Sequence, residues 1–135
     1  MIEGWARFML EGFDVEVESA GTSQENASQG EVTDKSVIAM QAYKIDISGH
    51  KSRYAGDLDL SKFDLFLTTG GDINQSLLEL RVPPEKIITV GAKNGIPNPW
   101  QKNQAAYHDC AQAIADWFSL EGGTRKVLEK LFPID

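Results

Sequence analysis

Four side chains in this sequence invite a chemical reading. Cys110 is the single thiol among 135 residues, so a cysteine nucleophile could only be this residue. No Cys-x5-Arg pattern follows it, and it falls in the apolar stripe of a predicted helix, which reads as a buried structural cysteine. His50 is a lone histidine, distant in sequence from His108, so the two make no metal-ligand cluster. It reads as a satisfied structural group rather than a base. The stretch NGIPNPWQ, residues 94 to 101, combines Asn-Gly with two prolines around Trp100 and reads as a surface loop. Asn98 in that loop can neither give nor take a proton near neutral pH, and its bland role is to cap the turn before Pro99. Gly70 and Gly71 raise the idea of a phosphate loop, but a tight turn into a helix beginning at Asp72 accounts for them.

The elements that must position these residues follow from hydrophobic periodicity. The first ten residues place Ile2, Trp5, Ala6 and Met9 on one helical stripe, with Gly12 as a stop. DVEVES then alternates strictly, Val15 and Val17 inward and Glu16 and Glu18 outward, which predicts a strand with one exposed face or edge. Residues 20 to 33 are polar and rich in Gly, Ser and Asn, a loop. Thr33 or Asp34 caps a helix through KSVIAMQAY. FDLFLTT and KIITVGA are short continuous apolar runs, suited to interior strands of a parallel sheet. Between them Asp72 caps a helix with Ile73, Leu77 and Leu80 on one side. Residues 103 to 118 form the strongest helix, lined by Ala106, Cys110, Ala113, Ile114 and Trp117. Gly122 and Gly123 break it before a short terminal helix at about 124–132. Strands alternating with helices predict a single three-layer α/β domain over residues 1–135, with a mostly parallel sheet. Only three strands are evident, and the chain begins inside a helix.

Charge and composition narrow the partners. A formal charge of −7 argues against a nucleic-acid or anionic-membrane partner, since both need a basic footprint. No apolar run has the length of a membrane span, and MIEGWARFML lacks the basic-then-apolar pattern of a signal peptide. One cysteine forbids an internal disulfide. The expectation is a cytoplasmic protein without metal or cofactor, and the sequon at Asn26 is then chance.

The order EGWAR, SAGT, GHKSR, FDLFLTT, NPW and a following tyrosine resembles the low-molecular-weight protein tyrosine phosphatases and their relatives, the thioredoxin-coupled arsenate reductases. The resemblance covers Met1 to about Phe118 and rests on order and spacing rather than on one motif. It implies that MIEGWAR is the helix following the phosphate-binding loop, and that Ser19 to Thr22 end the second strand. His50, Lys51 and Arg53 match a segment whose histidine steadies the loop, so His50 and Ser19 become support residues. Asn98 occupies the position of the general acid, where an amide can hydrogen-bond an oxyanion or orient a water but not protonate a leaving group. Trp100 falls at the mouth of the cleft, where it could stack on an aromatic substrate or fill a loop-to-core contact. The arsenate-reductase branch needs further cysteines near the end of the third strand, where this sequence has Thr68, Thr69, Gly70 and Gly71.

In the family a strand precedes the first helix and ends in a Cys-x5-Arg loop, whose amides and arginine hold a phosphate while the thiolate attacks it. Residues 1–135 contain no such segment. The expectation is a phosphatase-like fold with the first strand missing, inactive as it stands or an N-terminally truncated form. The alternatives are a non-catalytic remnant that binds a phosphate-type oxyanion, a phosphotyrosine ligand or a partner, and an arsenate-reductase-lineage protein without redox cysteines. A sheet edge left open in this way could pair with a second copy in a homodimer.

Overall fold

The computed structural model describes residues 1–22, 34–50, 53–91, 95–97, 99 and 102–133. Helix α1 spans Ile2–Met9 and α2 spans Asp34–Gln41. Strand β1 (Phe66–Thr68), helix α3 (Asp72–Glu79) and strand β2 (Ile87–Thr89) follow, then α4 (Gln104–Ser119) and α5 (Gly123–Leu131). The two strands pair in parallel with Phe66 opposite Ile87, Leu67 opposite Ile88 and Thr68 opposite Thr89. Parallel neighbours cannot be joined by a hairpin, and α3 supplies the crossover. The result is an α/β arrangement of a small parallel sheet and several helices.

Helix α4 organises the packing. Its amphipathic pattern buries Tyr107, Cys110, Ala111, Ile114, Trp117 and Phe118, and α1, α2 and α5 all lie against it. Asn103 starts it, its side-chain oxygen accepting the Ala106 N–H at 3.0 Å. Gly122 ends the turn after it in the left-handed region, φ +76°, and leads into α5. From α1, Trp5 and Leu10 enter the same core, which Met40, Ile88 and Val90 complete. Each of these large side chains contributes about 1.5–3 kcal/mol relative to full exposure.

Three local expectations are corrected. DVEVES is not a strand: residues 15–20 keep their alternation of half-buried and exposed positions, but they join no ladder. A ladder needs a neighbour, and among the described residues the first pairing is a parallel bridge between Gly21 and Tyr54. Among the described residues the named strands therefore number two rather than three. Asp72 is the first residue of α3 rather than its cap; Gly71, at φ +55°, holds the cap position, and the Asp72 carboxylate lies in the first turn where the helix dipole favours it. Asp34 likewise opens α2, and Thr33 lies outside the described residues.

Candidate functional site

Glu3 stands in the first turn of α1, where the aligned N–H groups favour a negative charge. Its Oε2 accepts a hydrogen bond from Ser19 Oγ at 2.9 Å and lies 2.8 Å from His50 Nδ1. Its other oxygen accepts from Arg7 Nη2 at 3.0 Å, one helical turn on. Arg7 also donates to the Val17 carbonyl, and Arg53 Nη2 donates to the Ser19 carbonyl at 3.2 Å. One carboxylate thus joins α1, the segment before Gly21 and the turn that ends at His50. The close approach has a steric condition at Gly4, where a Cβ would stand 2.8 Å from Ile47 Cγ2.

The electrostatics follow from this geometry. The Glu3 side chain is 17 % exposed and that of His50 27 %. Burial pushes the Glu3 carboxyl up, but donors from Arg7 and Ser19 and the nearby His50 and Arg7 charges outweigh it, so its pKa falls below the ordinary value. With Nδ1 turned to Glu3, the His50 ring has its orientation set and presents Nε2 to whatever stands on its other side. Such a group can hold a neighbour in place or relay one proton; it has no nucleophile of its own.

A second polar cluster closes the C-terminal ends of the two strands. Thr68 Oγ1 donates to Asn74 Oδ1, Asn74 Nδ2 donates to Thr89 Oγ1 at 3.0 Å, and the Gly70 N–H donates to Thr68 Oγ1 at 3.2 Å. The segment beginning at Gly95 docks here, the Ile96 N–H donating to the Thr69 carbonyl at 3.1 Å. Gly95 lies at φ +77°, and a Cβ on it would collide with that same carbonyl oxygen. Gly70 and Gly71, both at positive φ, make the turn into α3.

Of the residues singled out in the sequence, His50 and Ser19 meet at Glu3. Asn98, Trp100 and Lys51 lie outside the described residues. Cys110 is 8 % exposed on the inner face of α4. Burial raises its thiol pKa above the ordinary value, so it is a protonated thiol near neutral pH. Sequence reasoning passed over Glu3 and Asn74. Glu3 carried a signal, as a first-turn carboxylate four residues before an arginine; Asn74 carried none apart from its place after a strand. Among the described residues no group of three or more His, Cys, Asp or Glu is placed to hold a metal, and no helix is long and apolar enough to cross a membrane.

Solved structures similar to this fold include a low molecular weight protein tyrosine phosphatase from T. tengcongensis, 25 % identical with a TM-score of 0.72, covering 96 % of this chain and 88 % of that one. The Vibrio vulnificus protein Wzb, solved with benzylphosphonate, is 19 % identical with a TM-score of 0.76, covering 92 % and 87 %. The tyrosine phosphatase Wzb of Escherichia coli K30, solved with sulphate, is 18 % identical with a TM-score of 0.67, covering 96 % and 87 %. No individual curated protein matches the sequence. The family profile described as "Low molecular weight phosphotyrosine protein phosphatase" matches residues 5–120. That span runs from the helix bearing Glu3 and Trp5 to the end of α4, and the chain belongs to the low molecular weight phosphotyrosine protein phosphatase family.

Proposed function

We propose that residues 1–135 supply the scaffold and support groups for cytoplasmic phosphomonoester chemistry of the phosphotyrosine type, and that on their own they do not carry out the hydrolysis. The family's route runs through a cysteinyl-phosphate, formed by a thiolate while an arginine holds the phosphoryl oxygens. The observation that carries the negative half is Cys110: the single thiol of the sequence is buried in α4 with its pKa raised. In this reading the Glu3–Ser19–His50 cluster positions the first helix, and Asn98 holds the place of the general acid without its proton. Trp100 borders the substrate. Thiol relay of the arsenate-reductase kind is not part of the proposal, since one cysteine cannot form an internal disulfide.

Hydrolysis of p-nitrophenyl phosphate by residues 1–135, followed between about pH 5 and 7, should stay at the buffer rate. A robust rate that Cys110→Ala abolishes overturns this part.

The second reading is binding without turnover. It is favoured by the benzylphosphonate and the sulphate held by the two Wzb relatives. Phosphate or arsenate at millimolar concentration should then raise the Tm of these residues. An unchanged Tm rejects oxyanion binding and leaves the scaffold reading standing.

A further inference from the structure

Lys35 and Gln104 lie 69 residues apart in the sequence, one in the first turn of α2 and the other at the start of α4. Each side chain bonds the other's stretch of backbone. Lys35 Nζ donates to the Lys102 carbonyl at 2.7 Å, and Gln104 Nε2 donates to the Lys35 carbonyl at 2.9 Å. The Lys35 ammonium also stands 6.0 Å from the centroid of the Tyr107 ring, which is buried in the core. Together these contacts make a clasp between the N-terminal ends of two helices.

Lys102 lies just outside α4. The Ala106 N–H goes to Asn103, to both its carbonyl and its side chain, so the helix ladder begins beyond Lys102. The Lys102 carbonyl is left to a donor from elsewhere, and Lys35 supplies one. The Lys102 N–H in turn donates to the Pro99 carbonyl at 2.9 Å. At the other end, the Ile96 N–H is held by the Thr69 carbonyl at 3.1 Å. The stretch between Ile96 and Lys102 therefore has two fixed ends. One rests on main-chain groups alone, the other on a lysine side chain. Asn98 and Trp100 fall between those ends in the sequence.

We propose that Lys35 is a positioning residue for the phosphoryl site, setting through Lys102 where the segment bearing Asn98 stands. The inference rests on the phosphoryl reading above, in which Asn98 holds the place of the general acid. An amide in that place acts by hydrogen bonding alone, and such bonds weaken steeply with distance and angle. A misplacement of about 1 Å is enough to lose most of what a positioned group contributes. Lys35 is exposed and touches no reacting group; its effect passes through the backbone at Lys102. A lysine that merely decorates the surface would leave that backbone where it is.

The test compares Lys35→Met, Lys35→Arg, Gln104→Ala and the double variant Lys35→Met, Gln104→Ala in the whole chain by NMR. The reporters are the side-chain amide of Asn98 and the indole N–H of Trp100, with the buried Trp117 indole as control. Lys35→Met should move both reporters and leave Trp117 in place, with Tm lowered by no more than about 2 °C for so exposed a side chain. Lys35→Arg keeps a charged donor and should return both reporters toward their native positions. Gln104→Ala should move them in the same direction. The double variant should move them no further than the larger single shift, because the two bonds act as one clasp. In phosphate titrations Lys35→Met should bind about three- to tenfold more weakly than the native chain, with Lys35→Arg close to native. Unmoved reporters, no rescue by arginine, additive shifts, or equal measured phosphate affinity for native and Lys35→Met would each overturn the proposal. A native chain that binds no phosphate counts against the oxyanion reading alone, and the resonances still decide the role of Lys35.

Discussion

His50 Nδ1 lies 2.8 Å from Glu3 Oε2, and this contact ties the turn before residue 51 to the first turn of α1. Its partner groups are largely shielded from water, whereas the Arg7 side chain that shares the carboxylate is 60 % exposed. Shielding decides which bond matters. An exposed helical ion pair is worth a few tenths of a kcal/mol, while a hydrogen bond to a partly buried charge is worth about 1.5–3 kcal/mol. The His50 and Ser19 bonds to Glu3 therefore hold the helix against its neighbours.

The depressed Glu3 pKa sets a pH dependence. A carboxyl whose folded pKa lies below its unfolded value, 4.5 here, contributes stability that is complete above that value and is lost as pH falls through the folded pKa. The urea midpoint of the native chain should accordingly decline below pH 4.5. Glu3→Gln should start lower at neutral pH and decline less steeply in acid. Parallel acid limbs for the two proteins would show that Glu3 contributes nothing.

Much of this was legible in the sequence where one local pattern sufficed. The Cys110, Ile114 and Trp117 stripe identified α4 and its inner face because sixteen residues of amphipathic helix leave little choice. His50 and Ser19 were read as support groups by resemblance, and the structure brings both to one partner, Glu3. The signal that Glu3 carried, a first-turn carboxylate four residues before Arg7, points only along its own helix, and only three-dimensional closure brings residues 3, 19 and 50 together. Val15 and Val17 showed the right burial and the wrong pairing. Alternation reports the faces of a chain, but a ladder also needs a neighbour, which no local pattern encodes.

Gly95 gives a sharp mutational test of the docked segment. At φ +77° with the Thr69 carbonyl directly in the way of a Cβ, the position excludes every other residue both conformationally and sterically. Gly95→Ala should cost more than the strain of a left-handed alanine alone, about 1–3 kcal/mol, read as a lower urea midpoint. Asn74→Ala removes the link between Thr68 and Thr89 and should cost about 1–3 kcal/mol by stranding a buried hydroxyl. A neutral Gly95→Ala would mean the segment does not rest on Thr69.

Trp5 separates packing from hydrogen bonding. The ring is 6 % exposed and meets Tyr43 edge-on at 4.8 Å, yet its Nε1 has no partner among the described residues. Trp5→Phe removes an unsatisfied donor along with some volume, so the two effects oppose and the net change should be within about 1.5 kcal/mol. Trp5→Ala keeps only the loss and should cost about 3–5 kcal/mol. Near-equal destabilisation by both, in the same urea titration, would mean that Nε1 is bonded after all.

Cys110 provides the last test, because its burial separates a structural thiol from a reactive one. Disulfide exchange with Ellman's reagent requires thiolate and access, and the α4 interior denies both. Reaction of the native chain should run at least about a hundredfold slower than in urea, limited by local opening. Cys110→Ala removes one small buried side chain and should cost about 1 kcal/mol, without altering phosphatase or oxyanion readouts. Cys110→Ser tests the environment differently, since it places a stronger hydrogen-bonding group among Ile114, Trp117 and their neighbours. It should therefore be less stable than the alanine variant, although it is closer in size to cysteine. Fast native labelling, or a serine variant as stable as wild type, would place the thiol in a polar, accessible setting and reopen its candidacy as a nucleophile.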